Sequence, residues 1–398
     1  MIFVLVVLAL MLGIIAGIFT GLVPGIHINF VALIISSSAG ILLEHFSAIA
    51  IASFIIAMAV THSFFDFIPS IFLSAPNSET ALSVMPGHNL LLKGKGYAAA
   101  RLALIGCYAG LIILILTAPL FLYIMPLVYD FIKRFMAVIL IVSSLYLMVN
   151  EKNKILALFI FIISGVLGFA SLNLNLNQPL FPLLTGLFGT SMIVTSISEK
   201  AKIPKQEMQE LRTEKGEIPK AVSAGLIASG LCSFLPGLGA SQAAVIGSEI
   251  CGKTSEKCFL FLLGIISTLV TGLNFVAIYA IGKPRSGVAI AAADILQSVS
   301  MQQLYLLLAV AVVSGGIALV ISLHAAKIFA KNINRIDYAK ISIALLLFLF
   351  VMCIIFSGWL GIIILVTATS LGIFAIKANV RKMHLMGCIM LPVILYFL

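Results

Sequence analysis

The chain has 398 residues, of which 62% are hydrophobic and 10% charged, and its formal net charge is +10. A soluble domain carries charge on about a quarter of its residues, so this balance excludes one and, with repeated apolar runs of roughly 18 residues or more, defines a polytopic helical membrane protein. Solid apolar runs exclude an outer-membrane barrel, which needs alternating strands, and basic residues dispersed beside apolar segments exclude a nucleic-acid role.

Residues 1–23 lack a charged start and a small-residue cleavage site, and read as the first membrane segment rather than a removed signal. That segment ends in Thr20-Gly21-Leu22-Val23-Pro24-Gly25-Ile26-His27-Ile28-Asn29. Proline removes a backbone donor and clashes with the preceding turn, while glycine accepts angles other residues avoid, so a helix breaks here. Apolar sequence resumes to Leu43, and the next span, 48–65, closes on Thr61-His62-Ser63-Phe64-Phe65-Asp66. From 68 to 88 three prolines (Pro69, Pro76, Pro86), many hydroxyls and Glu79 make a poor ordinary span. They predict a re-entrant hairpin or second broken helix, with Asn77 or Ser78 as a helix cap and Glu79 in the first turn.

A basic loop with Lys93, Lys95 and Arg101 leads to expected spans near 102–128, 135–149, 155–172 and 180–198, with an uncharged loop at 173–179. The linker 199–220 separates a first half, 1–198, from a second, 221–398. Its basic residues Lys200, Lys202, Lys205, Arg212, Lys215 and Lys220 favour the cytoplasmic face. The second half breaks at Ser233-Phe234-Leu235-Pro236-Gly237-Leu238-Gly239-Ala240-Ser241-Gln242, and each break follows glycines at helical spacing (Gly17 and Gly21; Gly225 and Gly230). A span at 259–281 is interrupted by Gly282-Lys283-Pro284-Arg285. Expected segments follow at 304–323, 341–356, 360–376 and 385–398, with Gly358 between two of them. The total is about 12 membrane segments, with loops 327–340 and 377–382 on the same side as the linker and 173–179 opposite.

Backbone groups freed in hydrocarbon are tolerable only where they line a cavity or are covered by protein, and paired interruptions in two halves point to a transporter's binding site. A broken helix presents unpaired N–H groups and a positive dipole end at mid-membrane depth, and two such ends suit the carboxylates of a small organic anion. The candidate substrate-binding residues are Pro24, Gly25, His27 and Asn29 at the first break, and Pro236, Gly237, Gly239, Ser241 and Gln242 at the second. Ser74, Asn77, Ser78 and Thr80 join them from the Pro-rich stretch. The bland alternative, a Pro-Gly kink in a packed helix, is weakened by the recurrence at corresponding places.

Asp66 and Glu79 are acids in membrane sequence and are candidates for a coupling ion, Na+ or H+, against a reading as interfacial caps. Asn274, a lone mid-span amide, is either a helix–helix hydrogen bond or part of that ion site. Glu249 and Asp294 sit near segment ends and read as interfacial, and the six isolated cysteines read as buried thiols. No zinc helix, serine elbow or P-loop is present, which favours a transporter without a resident cofactor over an enzyme.

The run Ile68-Pro69-Ser70-Ile71-Phe72-Leu73-Ser74-Ala75-Pro76, followed by Ala81-Leu82, Pro86-Gly87 and Lys93-Gly94-Lys95-Gly96-Tyr97-Ala98-Ala99-Ala100-Arg101, resembles the large membrane subunit of tripartite tricarboxylate transporters. Pro236-Gly237-Leu238-Gly239 is similar to that subunit's second-half signature. The resemblance implies an all-α secondary carboxylate transporter of two inverted-topology repeats, driven by an ion gradient in a prokaryotic plasma membrane. Its implied partners are a small four-helix membrane subunit and an extracytoplasmic binding protein; a homodimer is compatible with it. Ser74-Ala75-Pro76-Asn77-Ser78 departs from the family's Asn-Ile-Pro-Gly-Thr, which suits a divergent branch able to stand alone. Two other readings are a polyprenyl-phosphate translocase, which presents its phosphate to the same helix ends, and a membrane enzyme acting on lipid, which requires a clustered His/Asp/Glu triad where the sequence has only dispersed ones.

Overall fold

Hydrocarbon offers backbone groups no partner but each other, so long apolar runs fold as helices. The computed structural model describes residues 2–23, 28–75, 80–149, 151–174, 176, 178–198, 204–208, 216–233, 239–252, 255–284, 286–333 and 338–398, and every regular element among them is helical. The first half holds α1 (Ile2–Leu22), α2 (Ile28–Ser37), α3 (Ala39–His45), α4 (Ala48–Phe65), α5 (Phe67–Phe72), a 3-10 turn (Ala81–Ser83) and α6 (Val84–Leu92). It continues with α7 (Gly96–Val149), α8 (Lys154–Asn173), α9 (Leu180–Leu184), a π-helical turn (Thr185–Thr190) and α10 (Ser191–Ser198). The second half holds α11 (Glu217–Ser233), α12 (Ala240–Cys251), α13 (Glu256–Ile281), α14 (Gly287–Leu296) and α15 (Met301–Asn332). It closes with α16 (Tyr338–Lys377), a second 3-10 turn (Lys382–Met386) and α17 (Gly387–Phe397).

Among the described residues, seven helical stretches are long and apolar enough to cross a bilayer and four shorter apolar helices accompany them. The chain is a multi-pass membrane protein. Its centre is set by burial: the apolar windows of Ala48–Phe72 and Glu256–Ile281 are 83% and 89% buried, against 28% for Gly96–Tyr129. The first two therefore pack on protein all round, whereas most residues of the third are only partly buried or exposed.

Two boundaries differ from expectation, and a third is met. The expected spans 102–128 and 135–149 belong to one helix, α7, because Pro119 and Pro126 each remove a single helical hydrogen bond without ending it. The expected break between segments 341–356 and 360–376 is present, since the helical run of α16 kinks at Gly358, which is non-helical at φ 63°. Helix α11 starts at Glu217, inside the expected linker, because the Glu217 carboxylate accepts from Ser255 N at 3.0 Å and Ser255 Oγ at 2.9 Å, and acid is favoured in a first turn.

Helix directions follow from close approaches. Gly13 of α1 lies on Ala57 and Gly21 on Phe65, so α1 and α4 are parallel. Glu217 meets Ser255 and Gly225 meets Ile265, so α11 and α13 are parallel as well. Gly106 and Gly264 bring α7 and α13 together, Gly272 faces Leu114, and Thr268 Oγ1 donates to Cys107 O at 2.7 Å; this pair is parallel too. Cys107 also reaches Ser63 O, while Phe72 flanks Gly96, so α4 runs opposite to α7 and α13. Helix α15 follows α4, with Gly315 beside Val60 and the Phe329 ring 6.0 Å from that of Phe72.

One end of this bundle gathers basic side chains. There Gln206 of the linker accepts from Gly96 N at 2.8 Å and donates to Leu91 O at 3.1 Å, and Lys93 pairs with Glu256 at 3.4 Å. After α5 the chain turns at Ser74, which has a left-handed φ of 54°, and returns so that Thr80 meets Asp66 before α6 leads back to this basic face. At the opposite end α14 packs along α2: Val288 N donates to Asn29 Oδ1 at 3.1 Å and Ser36 Oγ to Asp294 Oδ2 at 3.2 Å.

Candidate functional site

A carboxylate held within a membrane bundle is costly unless it is hydrogen-bonded. Asp66, 1% exposed at the junction of α4 and α5, meets that condition through hydroxyls. Thr80 Oγ1 donates to Asp66 Oδ2 at 2.8 Å, and Ser70 Oγ donates to Asp66 O at 2.8 Å and lies 2.7 Å from Thr80 Oγ1. Ser83 Oγ donates to Thr80 O at 2.7 Å, fixing the turn that carries Thr80. One helical turn before Asp66, His62 Nδ1 lies 3.1 Å from Thr20 Oγ1, at the end of α1 where the first Pro-Gly break begins. Gly21 approaches the backbone of Asp66 so closely that a Cβ would stand 3.2 Å from its nitrogen. The end of α1 and the acid therefore share one level of the bundle.

Of the other candidates, Ser74 Oγ lies 3.1 Å from His88 Nδ1, joining the two arms of the returning stretch. At the second break Gly239 N donates to Gln242 Oε1 at 2.9 Å, and Ser241 and Gln242 are buried at the start of α12. The 3-10 turn Ala81–Ser83 packs against α12 and α13, so the residues after the second break adjoin the turn that holds Thr80. Asn274 is buried in α13, and its Oδ1 has no hydrogen-bond partner among the described residues. Asn29 Oδ1 accepts from Val288 N in the first turn of α14. Pro24, Gly25, His27, Asn77, Ser78, Glu79, Pro236 and Gly237 lie outside the described residues. Sequence reasoning left out His62 and Ser70 as site residues. With Asp66 they form a series at four-residue spacing, which puts them on one helical face, and that spacing was the available signal.

A cavity of about 890 Å³ opens at the basic face. Its walls include Ala81 and Leu82 of the 3-10 turn, Pro86 and Asn89 of α6, Ser248 and Glu249 of α12, and the turns carrying Glu151 and Arg381. Ala81 is the neighbour of Thr80, so the cavity reaches one residue from the Asp66 cluster. At its rim, in the turn between α7 and α8, Glu151 Oε2 accepts from Arg381 Nε at 2.8 Å and lies 3.0 Å from His384 Nε2. Burial alone would raise the Glu151 pKa, but hydrogen bonds from Arg381, the Lys152 N–H and His384 outweigh it and hold the carboxyl at about 2. Lys382, in the turn after α16, is 5% exposed; burial pushes its ammonium down to about 7.

A multi-pass helical bundle with a polar cluster at its centre, reached by a cavity from one face, has the form of a membrane transport protein. The chain belongs to the tripartite tricarboxylate transporter TctA family, which it matches over residues 7–387. It is 31% identical over 404 residues to an uncharacterized protein of Methanocaldococcus jannaschii, with 98% of each chain covered. No solved structure matches it. The family read from residues 68–101 is thus the family of the whole chain, and it is a family of transporters.

Proposed function

We propose that this chain is an ion-coupled secondary transporter of small organic anions of the di- or tricarboxylate type, working by alternating access between two inverted-topology repeats in a prokaryotic plasma membrane. The carrying observation is the cavity that runs from the basic face, cytoplasmic by the positive-inside tendency, to the residue beside Thr80 and Asp66. Paired contacts support the repeat. Gly13 packs on Phe54 and Ala57 as Gly225 packs on Leu262 and Ile265, and Gly110 meets Thr268 as Gly315 meets Val60. Ser74 and Gly282 both adopt left-handed φ at the matching ends of α5 and α13. Helices α4 and α13 run in opposite directions, as inversion requires.

On this correspondence α2 and α14 seal the outer side, while their counterparts α12 and α6 face each other across the inner cavity. The conformation is inward-facing. Asp66 with the oxygens of Thr80 and Ser70 is a hard-oxygen site suited to Na+ or to a proton, and the ends of the two helix breaks take the carboxylates. Family membership supports a small membrane subunit and an extracytoplasmic binding protein as partners. A polyprenyl-phosphate substrate is less favoured, because charged Glu151, Lys152, Glu249, Glu256, Arg381 and Lys382 line the cavity.

The test is thermal stabilisation of the detergent-purified chain by a panel of carboxylates and a short-chain polyprenyl phosphate, with and without sodium, at two pH values. Binding to the folded state raises apparent stability by mass action. A carboxylate response that requires sodium or low pH and disappears in Asp66→Asn is expected. A polyprenyl-phosphate response alone would replace this reading with the translocase.

A further inference from the structure

Of the charged residues lining the cavity, Glu151, Arg381 and Glu256 are paired within the protein. Glu151 is bonded to Arg381, and Glu256 accepts from Asn89 Nδ2 at 2.9 Å and Lys93 Nζ at 3.4 Å. Lys382 differs. Its ammonium can donate three hydrogen bonds, yet among the described residues its one hydrogen bond goes to Phe188 O at 3.4 Å. The residue is nevertheless more than nine-tenths buried and forms part of the cavity wall. Phe188 lies in the π-helical turn Thr185–Thr190, and single π turns inside α-helices are rare and concentrate at functional sites. Lys382 is also near enough to His88 to interact with it electrostatically, and His88 is bonded to Ser74. A buried cation with unused donors, in the wall of the cavity beside the returning hairpin, is arranged to receive an anion.

We propose that Lys382 anchors one carboxylate of the transported anion in the inward-facing cavity and so selects di- and tricarboxylates over monocarboxylates. This rests on the transporter reading above. One carboxylate on Lys382 leaves the others for the helix-break ends; a monocarboxylate can use only one of these anchors.

The test titrates citrate, succinate and acetate against the full-length purified protein, reading thermal stabilisation, for wild type, Lys382→Met and Lys382→Arg. Loss of one charge-assisted anchor is expected to weaken citrate and succinate roughly tenfold or more in Lys382→Met, to leave acetate nearly unchanged, and to be partly restored in Lys382→Arg. Should Lys382→Met fail to fold, residue-resolved amine labelling of the unmutated protein replaces it. Citrate should then slow modification of Lys382 while leaving Lys283, on the opposite face, unaffected. Wild-type citrate affinity in Lys382→Met, or unprotected Lys382 in protein that binds citrate, overturns the anchor and leaves the transporter reading standing. Failure of wild type to respond to any of the three overturns both.

Discussion

Replacing Thr80 by valine removes one oxygen from the Asp66 cluster while keeping the side chain's shape. The structure gives Thr80 Oγ1 two roles: it donates to Asp66 Oδ2 at 2.8 Å and meets Ser70 Oγ at 2.7 Å. A hydrogen bond to a charged group is worth about 1.5–3 kcal/mol, and the site is too buried for water to substitute freely. Thr80→Val should therefore lower the unfolding free energy by roughly that amount, whereas Thr80→Ser should stay within about 0.5 kcal/mol of wild type. Denaturant titration of the detergent-solubilised protein measures both. In the double-mutant cycle with Asp66→Asn, a coupling energy of about 1–3 kcal/mol is expected, since residues in one network are not additive. If the cluster also holds the coupling ion, stabilisation by sodium or by acid should weaken in Thr80→Val and persist in Thr80→Ser. Additive effects of Thr80→Val and Asp66→Asn would refute the reasoning, because the two side chains could not then be acting as one unit.

Glu151 sits outside the spans with its carboxyl depressed from 4.5 to about 2, so its contribution is present above pH 4.5 and is lost as pH falls toward 2; acid titration of stability should show that loss, and Glu151→Gln should flatten it. A disulfide between Ser36→Cys and Asp294→Cys should form readily at the contact between α2 and α14 and stop carboxylate exchange in proteoliposomes, with activity returning on reduction. The pair Ser248→Cys and Pro86→Cys, across the open cavity, should cross-link only during turnover; cross-linking at rest at the same rate as the first pair would contradict the inward-facing assignment. Gly264→Ala should destabilise by about 1–3 kcal/mol because a Cβ there would collide with the Ala103 carbonyl, whereas Gly40→Ala, with open space around it, should be neutral by the same denaturant assay.

What the sequence made legible follows from the range over which each signal acts. A carboxylate in an apolar span stands out locally, and so Asp66 was singled out; the prolines and hydroxyls of 68–88 broke the local pattern, and so that stretch was set apart from the ordinary spans. Thr80 was named as well, but not as the partner of Asp66, because that contact exists only once the chain has turned at Ser74 and come back. Lys382 was read as part of an ordinary loop and Glu151 was not singled out, because the cavity joins turns more than two hundred positions apart. Helix α7 was divided in two because Lys133 and Arg134 interrupt its hydropathy, whereas the hydrogen-bonded backbone runs on through them. His62, Asp66 and Ser70 were within reach of a spacing argument, but His62 and Ser70 are each unremarkable types taken singly.

On the proposed repeat, the contacts that align Ala57 with Ile265 and Val60 with Thr268 also align Asp66 with Asn274. The scaffold is shared while the charge is not. Cys107 meets Ser63 and Thr268 at one level, and α4 and α13 run in opposite directions from there, so Asp66 lies toward the basic face and Asn274 toward the opposite face. A carboxylate at both positions would bury two charges in the bundle, each costly without a partner. On the proposed reading, an acid in one half and an amide in the other confine ion coupling to the side of the basic face. The same asymmetry separates the two tasks. The helix breaks, present in both halves, suit a substrate with several carboxylates, and the single acid gives the gradient one place to act.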